Sequence, residues 1–285
     1  MAVSPFEYEY LRRFVKAHCG LAFGANKQAI AQRLGVVLRC AGLSDIGELV
    51  ARLRAGDAAL TARLTEAILN RETWFFRDRA FFESLREIIL PELIAGRRHR
   101  RELRILSAGC ASGQEPYSLA ILLRDISEAL AGWRIEIVAG DISNEAIESA
   151  RRGIYSQSQV QRGLPIRTLL AHFSQDRSQE SATWQAAPYL REMMSFRELN
   201  LAGDLAQSGD FDLVLCRNVL GAFDPAAKLS ALGRLKSITA ADGFLALGAD
   251  ESMGRMSAGF AHVADGAGLY RSVRAAPPRL RLVAG

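Results

Sequence analysis

Chemistry begins in this chain where an apolar run breaks into small residues and then a helix start, in Leu106-Ser-Ala-Gly-Cys-Ala-Ser-Gly-Gln-Glu-Pro-Tyr-Ser118. Gly109 and Gly113 let backbone approach a ligand closely, and Pro116 suits a first helical turn. Free amide N–H groups at such a start favour an anionic group, so the segment reads as a nucleotide cradle. Its Gly-x-x-x-Gly spacing does not satisfy the dinucleotide fingerprint Gly-x-Gly-x-x-Gly, and a plain strand-to-helix turn is the competing reading. Asp141 follows the next apolar run, about 30 residues on, where α/β nucleotide domains place an acid against ribose hydroxyls. Its alternative role is to cap the helix that follows.

Three further clusters carry polar groups that fit the same ligand. In Leu69-Asn-Arg-Glu-Thr-Trp-Phe-Phe-Arg-Asp78, Thr73 and Arg77 lie four residues apart, a spacing that would put a hydroxyl and a guanidinium on one helix face. Arg77 otherwise reads as a surface ion-pair residue. Arg217 and Asn218 end the apolar run Phe211-Asp-Leu-Val-Leu-Cys216, and strand C-termini are where open α/β sheets bind ligands. Asn200 follows another such run and suits an adenine or ribose contact, or a turn.

The elements that must position these groups fall into two halves. Up to about residue 93 the apolar residues recur at helical spacing, as in Phe6, Tyr10, Phe14 and Ile30, Leu34, Val37, Leu38. Helices are predicted over 5–19, 27–41, 45–54, 57–69 and 78–90, with Asp57 and Asp78 as N-caps. Beyond that point short apolar runs at 103–107, 135–140, 193–197, 211–216 and 244–248 read as buried parallel strands. They alternate with helical segments at 116–129, 144–151 and 225–239, which predicts a doubly wound α/β sheet. Two more runs, 260–263 and 269–273, joined through Asp265-Gly266, predict a terminal hairpin. The expected organisation is a helical domain over 1–93, an α/β domain over 94–285, and a small subdomain inserted at about 156–191.

Composition narrows the class. A hydrophobic fraction of 49% in 285 residues supports a sizeable core. No apolar run approaches the roughly 20 residues that span a bilayer, and Met1-Ala-Val-Ser-Pro-Phe-Glu has no secretory pattern, so a soluble, cytoplasmic protein is expected. Cys19, Cys40, Cys110 and Cys216 lack CxxC spacing and the four histidines form no ligand motif, so neither disulfides nor a metal site is indicated. The net charge of +5 is spread along the chain and names no partner. The densest basic stretch, Arg97, Arg98, Arg100, Arg101 and Arg104, reads as a solvated linker rather than a phosphate site.

The clusters together resemble the CheR family of chemoreceptor glutamate O-methyltransferases. The resemblance rests on Thr73 to Arg77, on Ser107 to Ser118, and on Asp141-Ile142 with Ala150 to Tyr155. It continues through Arg162-Gly-Leu-Pro165, Phe196 to Leu201, Cys216-Arg-Asn-Val219 and Gly268-Leu-Tyr-Arg271, nearly the whole chain. It implies a Rossmann-like methyltransferase domain that uses S-adenosyl-L-methionine and releases S-adenosyl-L-homocysteine. Thr73, Arg77, Gly109, Glu115, Asp141, Asn200, Leu201, Arg217 and Asn218 become its expected cofactor contacts. For Glu115 the alternative is favourable charge at a helix start. The implied partner is a chemoreceptor cytoplasmic domain, met by Lys27, Arg33 and Arg39 on a basic N-terminal helix or, alternatively, by none of them if that face is simply solvated.

The resemblance also implies the reaction. A methyl group passes to a glutamate carboxylate already ionised at neutral pH, so alignment and exclusion of water replace a general base. Arg77 is the expected catalytic residue, orienting the acceptor carboxylate, with cofactor positioning as its other role. Two departures stand out. Ala222 occupies the place of a tyrosine that the family uses near the acceptor, and Asn70 is displaced by one position from the family's Asn-x-Thr spacing. Ala222 opens a second reading, a cofactor-binding regulator without methyl transfer. A third reading, methylation of RNA, lacks the aromatic-rich or strongly basic tract it would need, so no nucleic acid partner is expected. Residues 174–184 lack a glycine-rich turn, which predicts action independent of a receptor tail peptide, and a monomer is expected.

Overall fold

The computed structural model describes residues 3–23, 27–176, 182–254, 259–263 and 268–273. Short polar side chains start the first helices. Before α1 (Pro5–Cys19), the Ser4 hydroxyl accepts from Glu7 N at 3.3 Å and the Glu7 carboxylate returns the bond to Ser4 N at 2.9 Å, a capping box. After α2 (Lys27–Ala41), Asp45 caps α3 (Ile46–Arg54) and Asp57 caps α4 (Ala58–Ile68), each such cap stabilising by about 1 kcal/mol.

The next helix departs from the sequence reading at both ends. Asp78 precedes α5 (Arg79–Ser84) with φ 62° and makes no capping bond; its carboxylate is taken by Arg217 instead. The helix then widens into a π turn at Leu85–Ile89 and continues as α6 (Leu90–Arg97), beyond the expected end at residue 90. Pro91, with no N–H to donate, sits at the junction.

The chain then enters the sheet through β1 (Glu102–Ala108), α7 (Gln114–Asp125), β2 (Arg134–Asp141) and α8 (Asn144–Arg152). An insertion follows: β3 (Ile154–Ser156), α9 (Gln157–Gln161), α10 (Ile166–His172), β4 (Phe173–Asp176) and β5 (Thr183–Ala186). Its strands form a separate antiparallel sheet in the order β3-β5-β4. After α11 (Pro188–Arg191) come β6 (Met194–Glu198), β7 (Phe211–Leu215), α12 (Pro225–Ser237), β8 (Thr239–Ala246), β9 (Phe260–His262) and β10 (Leu269–Ser272). The main sheet runs β6-β2-β1-β7-β8-β10-β9, with β6 through β8 parallel and the last two strands antiparallel. β9 and β10 pair as the expected hairpin strands, while the Asp265-Gly266 turn lies outside the described residues.

Alternation along the strands feeds two cores. Leu106, Val138, Val214 and Leu245 join a cluster with α1 to α4 and α12, whereas Ile105, Ile137, Leu213 and Phe244 pack against α5 to α7 and the insertion. The N-terminal helices thus cover one face of the sheet.

Within the basic stretch expected as a solvated linker, Arg98 and Arg101 are exposed, but Arg97, Arg100 and Arg104 form a clamp. Arg97 is 6% exposed; its Nε donates to Asp212 at 2.7 Å and its terminal nitrogens to Asp242 at 2.5 and 2.6 Å. Asp212, 1% exposed, also accepts from the Arg100 guanidinium and from Arg104 N at 2.9 Å. A buried carboxylate needs such partners, and the three arginines supply them. They close the sheet edge opposite the glycine loop. Among the described residues no helix is long and apolar enough to cross a membrane, and no group of His, Cys, Asp and Glu has the makings of a metal site.

Candidate active site

Parallel strands β1, β2 and β7 deliver their C-terminal loops to one edge, where the chain crosses from β1 outward in both directions. A cleft of about 430 Å³ opens there. Thr73, Arg77, Gly109, Glu115, Asp141, Asn200, Leu201, Arg217 and Asn218 all line it.

The glycine loop is folded onto its neighbours rather than left open. Gly109 N and Cys110 N donate to Gly140 O at 2.7 and 3.0 Å, Ala111 N to Asp141 Oδ2 at 2.9 Å, and Gly113 N to Cys110 O at 2.9 Å. These four loop amides are therefore committed, while α7 itself starts at Gln114 with no side-chain capping bond. Gly109 has φ +80°, and a Cβ there would stand 2.4 Å from Val219 Cγ2, so only glycine brings the two loops this close.

Asp141 is 7% exposed and accepts from Ala111 N and Ser143 N, while Ser143, not Asp141, caps α8. Burial raises its pKa above the ordinary aspartate value, against the opposing pull of the two N–H bonds. Glu115, in the first turn of α7, accepts from Ser107 Oγ at 2.8 Å and from Arg217 Nη1 at 3.1 Å. Arg217 has a side chain only 1% exposed. It reaches Asp78 at 2.7 Å and Arg77 O at 3.0 Å, and lies 4.0 Å from the Phe81 ring centroid.

Thr73 and Arg77 do not share a helix face, because residues 70–78 form an extended strap with turns. Phe75 is fully buried against Tyr155 and Phe173 of the insertion, with centroids at 4.9 and 5.6 Å, and Phe76 N donates to Ser118 Oγ at 2.9 Å. These anchors leave Thr73, Trp74 and Arg77 facing the cleft. Arg77 donates to Glu72 O at 3.0 Å and lies 4.3 Å from the Trp74 centroid; Arg162 lies 4.0 Å from the same ring. The buried Nε atoms of Arg77 and Arg217 have no hydrogen-bond partner among the described residues.

Asn200 Nδ2 donates to His18 O at 2.7 Å and its Oδ1 accepts from Ala202 N, so its side chain ties α1 to the sheet edge as well as lining the cleft. Asn70, one position away from the family's Asn-x-Thr spacing, also lines the cleft. Ala222 lines it too, together with an adjoining smaller cavity that Arg33 bounds. Arg33 donates to Ile68 O at 2.6 Å, whereas Arg39 lines a shallow groove beside Val36 and Leu43, so these two face different cavities. The Lys27 side chain lies outside the described residues.

Sequence reasoning missed Glu251. Its carboxylate accepts from Asn218 N and Gly221 N, both at 2.7 Å, and from Gly248 N at 2.9 Å. The sole signal was an acid shortly after the last parallel apolar run.

Comparison with known proteins places the chain in a family. Residues 71–267 match the family described as CheR methyltransferase, SAM binding domain. The chain is 35% identical to chemotaxis protein methyltransferase 1 of Pseudomonas aeruginosa, over 90% of this chain and 93% of that one. It is 33% identical to chemotaxis protein methyltransferase Cher2 of Pseudomonas putida, over 89% and 92% of the two chains. A chemotaxis protein methyltransferase of Vibrio parahaemolyticus is 31% identical, over 89% and 91%. With a matched S-adenosylmethionine-binding domain and relatives aligned end to end, the chain belongs to the CheR family of S-adenosylmethionine-dependent chemotaxis methyltransferases.

Proposed function

We propose that this chain methylates glutamate side-chain carboxylates of chemoreceptors, forming methyl esters, and that the cleft beside β1 holds its cofactor. The observation that carries the reading is the meeting in one cleft, at the C-terminal edge of the parallel strands, of the Arg77 and Arg217 side chains with the Glu115 and Asp141 carboxylates. A guanidinium suits a carboxylate of cofactor or substrate, and a carboxylate suits ribose hydroxyls.

The residues present fit S-adenosylmethionine. Its lack of phosphate matches a glycine loop whose amides are already bonded internally. Asp141 presents a carboxylate for ribose hydroxyls, Glu115 and Arg217 form a charged floor, and Leu199, Leu201 and Ile142 supply apolar walls. Thr73, Asn200 and Asn218 add polar groups around the rim.

When bound, the cofactor would supply a sulfonium methyl group to the acceptor carboxylate oxygen, its sulfur keeping the electron pair of the C–S bond. No proton moves. The protein's part is to align and to dehydrate. Arg77, steadied by Trp74 and Glu72 O, brings to the cleft a guanidinium that suits the orienting of a carboxylate. Arg33 and Arg39 add positive charge on α2 for an acidic partner surface.

The test is incubation of receptor cytoplasmic fragments with the protein and methyl-labelled cofactor, followed by mass spectrometry. Label should sit on glutamate and be released as methanol by base, as esters are. Label that resists base, or no label on any cognate receptor, refutes the reading. Ala222 favours a second one, since it brings no polar group to the cleft. Calorimetric binding of cofactor with no ester formed would establish a regulator instead.

A further inference from the structure

Glu251 belongs to none of the roles assigned so far, yet it is 9% exposed and lines the cleft. Its two oxygens accept three backbone N–H groups from two loops: Asn218 and Gly221 after β7, and Gly248 after β8. The segment that carries the first two donors lines the cleft with Asn218, Val219, Gly221 and Ala222. Asn218 is held at φ 61°, in the left-handed region that costs a non-glycine residue energy. Gly248 makes room for it: a Cβ there would stand 2.4 Å from Asn218 Nδ2. A strained turn persists only where its surroundings over-determine it, and Glu251 is the group that does so here.

We propose that Glu251 is a positioning residue for methyl transfer, fixing the Asn218–Ala222 wall so that Arg217 and Asn218 meet the cofactor at one height and Ala222 bounds the acceptor's path. The proposal rests on the cleft being the cofactor site. A carboxylate is required because all three facing groups are donors. Oε2 takes the N–H of Asn218 and Gly248, and Oε1 takes that of Gly221. In Glu251→Gln one of these positions becomes an NH2 that meets a donor, so at least one buried N–H loses its acceptor while side-chain volume is kept. Glu251→Asp keeps both oxygens but withdraws them by a methylene.

The experiment is calorimetric titration of the full chain with S-adenosylhomocysteine, with methyl transfer to receptor fragments followed in parallel. Glu251→Gln is expected to weaken binding at least tenfold at temperatures where it remains folded by circular dichroism, with Glu251→Asp intermediate. Asp212→Asn, which removes a still more deeply buried carboxylate at the far end of β7, controls for lost stability and should change affinity less than twofold. Equal affinity and equal kcat and KM in wild type and Glu251→Gln overturn the proposal, as does a loss that Asp212→Asn reproduces at the same melting temperature. Wild-type affinity indifferent to Thr73→Ala and Asp141→Ala would instead overturn the placement of the cofactor, so the two failures are told apart.

Discussion

Replacing Arg217 by methionine removes the charge at the floor of the cleft while keeping an apolar stem of similar reach. In the native fold its guanidinium lies between Glu115 at 3.1 Å and Asp78 at 2.7 Å, with its side chain 1% exposed and Phe81 4.0 Å away. Loss of one partner from a buried ion pair costs about 3–5 kcal/mol, because the remaining charges stay desolvated. Here two carboxylates would remain, on side chains 14% and 28% exposed, which favours the lower end of that range for each. At roughly 2–4 °C per kcal/mol for a chain of this size, the melting temperature should fall on the order of 10 °C. Circular dichroism melts at neutral pH measure the fall. A loss under about 1 kcal/mol would refute the account of Arg217 as the counter-ion of these two groups.

Three other outcomes are expected. Burial raises the Asp141 pKa, so the folded state binds this proton more tightly than the unfolded chain does. Its contribution is therefore fully present below the unfolded value and lost as pH rises through the folded one, while cofactor affinity should weaken on acidification sooner than for an ordinary aspartate. Calorimetry across pH checks this, and Asp141→Asn should flatten the profile. Gly109→Ala places a methyl group 2.4 Å from Val219 Cγ2 at φ +80°, which should cost about 1–3 kcal/mol in thermal unfolding, with Val219→Ala restoring only the steric share. Asp212→Asn should lower stability by about 3 kcal/mol through the loss of charge opposite Arg97 and Arg100, read by denaturant titration.

The parallel strands were legible because burial on both faces writes them as short, mainly apolar runs, as in Phe211-Asp-Leu-Val-Leu215 and Leu103 to Leu106, each broken by a single charge. The nine residues expected around the cofactor converge on one cleft because strand ends in such a sheet share an edge. What escaped the sequence depends on partners far along the chain. Phe75 leaves helical geometry to pack on Tyr155 and Phe173, contacts that local spacing cannot announce. Arg97 looks like a solvated charge until Asp212, more than a hundred residues later, is seen beside it. Glu251 resembles any acid in a loop, and only the fold assembles three N–H groups around it.

The late position of Glu251 has a consequence for synthesis. All nine residues expected around the cofactor precede Phe223 in the chain, so a nascent polypeptide carries every one of them before β8 exists. The turn after β7 nevertheless waits for a carboxylate that emerges after β8, and β8 is the strand on which β7 lies. Without that carboxylate three backbone N–H groups, on Asn218, Gly221 and Gly248, lose their shared acceptor, so the order of a wall built early in the chain depends on a residue that follows every one of the nine.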